Sequence, residues 1–173
     1  SSQECNTIHK ESALKELDYS KDKKTILILG GSQGSVFLNT QLCQALQSVN
    51  RSTIQVIHQA GNNDIEQLTL FYKQMNIPAH VFAYEQNLAP YYQAADIVIC
   101  RSGAGTLFET AFFKKPSITI PLEISGNTHQ VDNAHAIQHM YSDLFIVLTQ
   151  TELTKKPELL VTQLSRLLQL PTE

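Results

Sequence analysis

Three cysteines among 173 residues, Cys5, Cys43 and Cys100, are too few and too far apart to build a scaffold. No C-x-x-C pair occurs, which argues against a zinc ribbon or a disulfide framework and fits a reducing compartment. No apolar run approaches the roughly 20 residues that a helix needs to cross a bilayer. The polar opening SSQECNTIHKES is unlike a signal peptide. Charge of neither sign is concentrated: 13 Lys and Arg stand against 16 Asp and Glu, for a net charge of −3. The scattered lysines leave no basic footprint for nucleic acid or a membrane surface. There is no internal repeat and no low-complexity linker. What remains is ordinary for a globular chain, 42% hydrophobic and 17% charged. At this length it can bury a proper core as one domain. The expectation is a soluble cytoplasmic protein.

Apolar runs alternate with amphipathic stretches. KTILILG, TIQVIHQ, AHVFAY, DIVICR, PSITIPL and LFIVLT read as strands. Between and after them, VFLNTQLCQALQSV, DIEQLTLFYKQM, LAPYYQAA, AGTLFETAFFK, HQVDNAHAIQHM and ELLVTQLSRLLQL read as helices, the third broken near Pro90. Strict alternation predicts an α/β fold, a Rossmann-like parallel sheet of about six strands with helices on both faces. Residues 1–22, with one helical fragment ESALKELD, read as a lead-in, and residues 23–173 as the domain. In an open parallel sheet, ligands sit outside the carboxyl ends of the strands. The turns to read are therefore GGSQGS, HQAGNN, AYEQN, RSGAGT and LEISGNTHQ, which offer hydrogen bonds and close backbone approach but few charges.

The first turn joins the strand ILILG to a helix through Gly30, Gly31, Ser32, Gln33 and Gly34. Glycines allow tight turning, and the N–H groups opening the next helix favour a phosphate. A plain strand-to-helix turn is the competing reading. No lysine follows Gly34, so this is not a P-loop. The glycine spacing is not G-x-G-x-x-G, and the second strand ends in His58 and Gln59 instead of a ribose-binding acid, which disfavours NAD. A sugar nucleotide needs neither feature. CRSGAGTLFE supplies a second turn of small residues, Gly103, Ala104 and Gly105, with Thr106 expected to open the helix. Glu109, one turn in, could accept both hydroxyls of a ribose or merely complement the helix dipole. In SGNTHQVDNAH a helix is expected to start near Asn127 or Thr128. Gln130 and Asn133 lie one turn apart there, placed either to read sugar hydroxyls or, for Gln130, to complete a capping box with Asn127.

GGSQGS…LN, CRSGAGTLFE and HQVDNA, in this order and spacing, resemble the C-terminal half of a family of bacterial cell-wall glycosyltransferases. These enzymes move N-acetylglucosamine from UDP-N-acetylglucosamine to lipid-linked muramyl-pentapeptide, making lipid II. The resemblance runs from about Ala13 onward. It implies a GT-B architecture, two Rossmann-like domains facing across a cleft, with the donor on the half seen here. It implies that Gly31, Ser32, Gln33, Gly34, Gly103, Ala104, Gly105 and Thr106 surround the diphosphate and that Glu109 holds the ribose. Asn39 matches an asparagine near the cleft. Tyr84 would pack on uracil, while the Glu85 backbone reads its edge. His129, Gln130 and Asn133 would face the sugar, with His129 standing where the family usually has a glutamine. The implied mechanism is inverting transfer without a cofactor or an essential metal. The family's acceptor site, proposed base and membrane-docking patch belong to an N-terminal domain, to which nothing in this chain corresponds. The Pro-hydrophobic-Arg linker that precedes the second domain is also absent, NTIHKES standing in its place. The chain is therefore expected to be the donor-binding half, inactive alone, of an enzyme peripheral on the cytoplasmic face of the inner membrane. A non-catalytic nucleotide-sugar-binding subunit of a split glycosyltransferase, a UDP-N-acetylglucosamine epimerase and, more distantly, an NAD-dependent oxidoreductase are the alternatives. Other candidates have bland readings. His135 and His139, spaced i, i+4, lack a third ligand. Cys100 reads as core, Arg101 as a loop brace or a phosphate clamp, and Asp132 as a surface acid.

Overall fold

The computed structural model describes residues 2–31 and 35–172. The first half of the chain contains α1 (Ser2–Glu16), β1 (Lys24–Leu29), α2 (Val36–Leu46), β2 (Ile54–Gln59), α3 (Ile65–Gln74) and β3 (Ala79–Phe82). The second contains α4 (Ala89–Ala94), β4 (Ile97–Cys100), α5 (Ala104–Phe112), β5 (Ser117–Thr119), α6 (His129–Met140), β6 (Phe145–Val147), α7 (Gln150–Lys155) and α8 (Glu158–Leu168). The strands form one all-parallel sheet in the order β3-β2-β1-β4-β5-β6.

The run TILIL is apolar at every position after its threonine because β1 is covered on both faces. Ile26 and Ile28 point to one side, joining Leu38 and Leu42 of α2, Leu68 and Tyr72 of α3, and Leu160 and Leu164 of α8. Leu27 and Leu29 point to the other, joining Ala13 and Leu14 of α1, Tyr92 of α4, and Val98 and Cys100. Each such side chain, moved from water to this core, stabilises the fold by about 1.5–3 kcal/mol.

The lead-in helix runs well beyond ESALKELD and is packed into the second core. Lys10 pairs with Asp96, whose other oxygen accepts from the Thr25 amide at 2.8 Å. The Tyr19 hydroxyl donates to the Val56 carbonyl, and Gln55 bonds both Ser20 and Thr25. Pro90 does not break α4. It lies in the first turn, where its missing N–H costs nothing. The short helix α7 has no apolar periodicity to announce it. A capping box between Thr149 and Glu152 holds it instead.

The strand order places the functional edge. From β1 the chain leaves to one face through α2, and from its neighbour β4 to the other face through α5. Between two crossovers that diverge in this way the sheet opens a crevice, at the strands' carboxyl ends.

Candidate functional site

At the centre of that edge β1 and β4 end side by side, Leu29 registered with Cys100. Gly31, two residues on, has φ +87°, and a Cβ there would meet nothing. Its backbone conformation, and not crowding, is what calls for glycine. Ser32, Gln33 and Gly34 lie outside the described residues. Ser35 then caps α2, its Oγ accepting from the Leu38 amide at 3.1 Å. A serine directly before a helical apolar run is the sequence signal for this role.

The Ser35 hydroxyl also accepts from Arg101 Nη2 at 2.6 Å. Arg101 Nη1 donates to Gln150 Oε1 at 2.7 Å and to the Ile120 and Pro121 carbonyls, and the guanidinium lies over the Phe37 ring. This arginine is therefore a brace that ties the ends of β4 and β5 to the first turns of α2 and α7. Burial lowers its pKa, and the nearby Glu123 charge opposes that shift. Burial pushes the Glu123 carboxyl up, but the Thr151 hydroxyl and amide, the Gln150 amide and the Arg101 charge together hold it below its ordinary value.

Helix α5 begins at Ala104, where the run AGTLFETAFFK begins, so Thr106 sits inside the first turn and does not open the helix. Gly103 is the N-cap and has no side chain with which to cap the helix. Ala104 and Gly105 are exposed, and a Cβ at Gly103 or Gly105 would meet nothing within 4 Å. The helix thus presents uncapped N–H groups and its positive dipole end to open space, the arrangement that favours a phosphate. Glu109 is exposed one turn further along.

What fixes the start of α5 is a clamp from α6. Gln130 Oε1 accepts from the Ser102 and Leu122 amides at 3.3 and 2.9 Å, while the Ser102 hydroxyl donates to the Gln130 carbonyl at 2.6 Å. Asn133 Nδ2 donates to the Ser102 carbonyl at 3.3 Å. Gln130 therefore completes no capping box. Helix α6 starts at His129, with Asn127 Oδ1 accepting from the His129 amide, and His129 itself is exposed. At the β3 side of the edge, Tyr84 is 64% exposed, which frees a ring face for stacking. Next to it, Glu85 accepts from the Asn87 amide and Asn87 from the Ala89 amide, shaping the turn into α4.

Asn39 is buried behind the first turn. Its Nδ2 donates to Asp64 at 2.9 Å, so its Oδ1 must accept from His58 Nε2, also at 2.9 Å. That leaves His58 Nδ1 to accept from the Tyr72 hydroxyl at 2.7 Å. Burial lowers the His58 pKa from its usual 6.5 to about 3, so the ring is neutral. This chain of four side chains was not foreseen, although a histidine inside the buried strand TIQVIHQ had to find polar partners. Among the described residues, no three His, Cys, Asp or Glu side chains converge in a way that would hold a metal ion. None of the described helices is long and apolar enough to cross a membrane.

With two glycine-lined turns at adjoining strand ends, the comparison with known proteins becomes specific. The sequence pattern that defines the glycosyltransferase family 28 C-terminal domain matches residues 25–173. This chain belongs to that family. A UDP-N-acetylglucosamine–N-acetylmuramyl-(pentapeptide) pyrophosphoryl-undecaprenol N-acetylglucosamine transferase of Campylobacter jejuni subsp. doylei is 39% identical over 118 residues, 68% of this chain and 34% of that one. A transferase of the same description from Dechloromonas aromatica is 36% identical over 142 residues, 82% of this chain and 40% of its own. The family 28 domain described here also matches the crystal structure of Acinetobacter baumannii MurG, with a TM-score of 0.72 at 28% identity, covering 90% of this chain and 44% of that one. The glycosyltransferase of kitacinnamycin, at 17% identity and a TM-score of 0.62, shares the fold. The family 28 domain is thus one Rossmann-like half of a GT-B glycosyltransferase. It spans 34–40% of the length of these curated relatives.

Proposed function

We propose that this chain is the donor-binding half of an inverting glycosyltransferase that takes N-acetylglucosamine from UDP-N-acetylglucosamine to a lipid-linked muramyl-pentapeptide, the lipid I to lipid II step of peptidoglycan synthesis. The observation that carries this reading is the pair of open, small-residue turns after β1 and β4, in a domain of family 28. In this reading residues 23–173 form the donor unit and residues 1–22 a helix and turn packed on it. The diphosphate lies between the Gly31 turn and the uncapped start of α5, the ribose on Glu109, and uracil against Tyr84. The acceptor hydroxyl forms its bond to the anomeric carbon as the bond from that carbon to the diphosphate breaks. The developing charge on the leaving UDP falls on the α5 amides. The base that takes the acceptor's proton lies outside this chain, on the part of the relatives that it does not span. The acceptor places the whole enzyme at the cytoplasmic face of the inner membrane.

Calorimetric titration with UDP-N-acetylglucosamine, UDP-N-acetylgalactosamine and UDP-glucose tests the assignment. Glu109→Ala, which removes a charged partner of the ribose, is expected to weaken every uridine ligand about tenfold or more. Gln130→Ala should also weaken all three, because it frees the Ser102 turn. His129→Ala should change only the discrimination between sugars. Unchanged affinities in Glu109→Ala and Gln130→Ala would remove the site from this edge of the sheet.

A further inference from the structure

The Ser35 oxygen is fully used as an acceptor. It takes the Leu38 amide at 3.1 Å, as the cap of α2, and Arg101 Nη2 at 2.6 Å. A serine hydroxyl has two lone pairs and one proton. With both lone pairs occupied the proton has to be donated elsewhere, and among the described residues no acceptor takes it. Ser35 is half-buried and opens α2 directly after the first turn, at the carboxyl edge of the sheet. Arg101, only 8% exposed, stands behind it.

Arg101 carries a charge with no counter-charge in contact. Besides the Phe37 ring, its partners are Ser35 Oγ, Gln150 Oε1 and the Ile120 and Pro121 carbonyls, all of them neutral. Glu123 is the acid whose field it feels, but the Glu123 oxygens accept from Thr151 and from the Gln150 amide. Among the described residues no ion pair joins the two. An uncompensated buried charge is costly, and an anion brought to this edge offsets part of that cost. Hydrogen bonds in series polarise one another, so a hydroxyl that accepts from a guanidinium donates more strongly. Arg101 also follows β4 while Ser35 follows β1, so their bond ties together the two turns of the site.

We propose that the Ser35 hydroxyl is a ligand of the donor's diphosphate and that Arg101 is its positioning residue, holding the oxygen and passing part of its charge forward through that proton. Both roles rest on the donor site proposed above and add to it a side-chain contact outside the glycine turns. Ser35 and Arg101 then read the charge of the nucleotide, whereas Glu109 and Tyr84 take its ribose and base.

Calorimetric titration with UDP and NMR titration with uridine separate these contributions, since uridine has the base and the ribose but no charge. Ser35→Gly puts a residue tolerated at a helix N-cap in place of the hydroxyl. It should weaken UDP about tenfold and leave uridine unchanged. Ser35→Thr, which restores a hydroxyl, should recover most of the UDP affinity. A serine that only caps α2 would move the melting temperature and not the UDP-to-uridine ratio. Arg101→Met should lower the same ratio, and much less so when residue 35 is already glycine, because the two act through one bond. If circular dichroism shows Arg101→Met to be unfolded, the Ser35 variants decide alone. An unchanged ratio in Ser35→Gly, with Glu109→Ala still weakening both ligands, would overturn this inference and leave the donor site standing. UDP bound no better by Ser35→Thr than by Ser35→Gly would overturn it as well, and strict additivity of Ser35→Gly and Arg101→Met would break the link between them. Wild-type protein that binds neither ligand would overturn the donor site and this inference with it.

Discussion

His58 illustrates how a single residue reports on the arrangement around it. Its neutral state is enforced by burial, with one ring nitrogen accepting from Tyr72 and the other donating to Asn39. In the unfolded chain this histidine titrates near 6.5, whereas in the fold it does so near 3. Between these values the unfolded state binds the additional proton, so stability falls as pH drops below about 6.5, by up to about 1.4 kcal/mol per pH unit. Thermal melts between pH 7 and pH 5 should show this decline, and His58→Gln should flatten its slope whatever the variant's own melting temperature. The strand that holds His58 was legible from its apolar pattern. The partner Asn39 was not, because pairing a residue of one helix with one of the next strand depends on which strands are neighbours, and local periodicity is silent on that. The same holds for Gln130: its place on α6 was readable, but its grip on Ser102 required knowing that the turns after β4 and β5 adjoin.

Among the elements, three helices end alike. After α1, α3 and α5 the chain turns back through a left-handed residue, Asp18, Asn76 and Lys114. In each case the next amide reaches back five residues: Tyr19 to Leu14, Ile77 to Tyr72, and Lys115 to Thr110. This is the Schellman arrangement, which usually places glycine at the left-handed position. Replacing Lys114 by glycine should relieve about 1 kcal/mol of backbone strain. For a domain of this size, that is expected to raise the melting temperature by about 2–4 °C, measurable by calorimetry. Helix α6 occupies the residues of HQVDNAHAIQHM, one or two residues after the start expected near Asn127 or Thr128. Helix α7 was not legible, since QTELTK carries one buried residue, Leu153, and too short a pattern to show a period. The run AGTLFETAFFK begins where α5 does, but Thr106 does not open the helix as expected, because the boundary is set by a clamp from another part of the chain.

For the molecule as a whole, the expected outcome is donor binding without transfer. A UDP-release assay with UDP-N-acetylglucosamine and a lipid-linked muramyl-pentapeptide should show no turnover by the purified chain, and turnover would disprove the division of labour proposed here. Alternating patterns were enough to announce a parallel sheet, and the edge on which ligands sit followed from the direction of its strands. The order β3-β2-β1-β4-β5-β6 was not in those patterns. It follows from how each crossover packs, and it is what makes β1 and β4 neighbours.

That order also divides the sheet into two consecutive stretches of chain, β1 to β3 on one side of the β1–β4 seam and β4 to β6 on the other. The strands pass from one to the other once, through residues 83–96, which include Tyr84 and α4, and after β6 the last helix, α8, returns to pack on α2. A nucleotide resting on Gly31, on the start of α5 and on Tyr84 would touch both stretches and the bridge that joins them. It would act as a removable rivet, and the domain's rigidity would then rise and fall with the supply of donor.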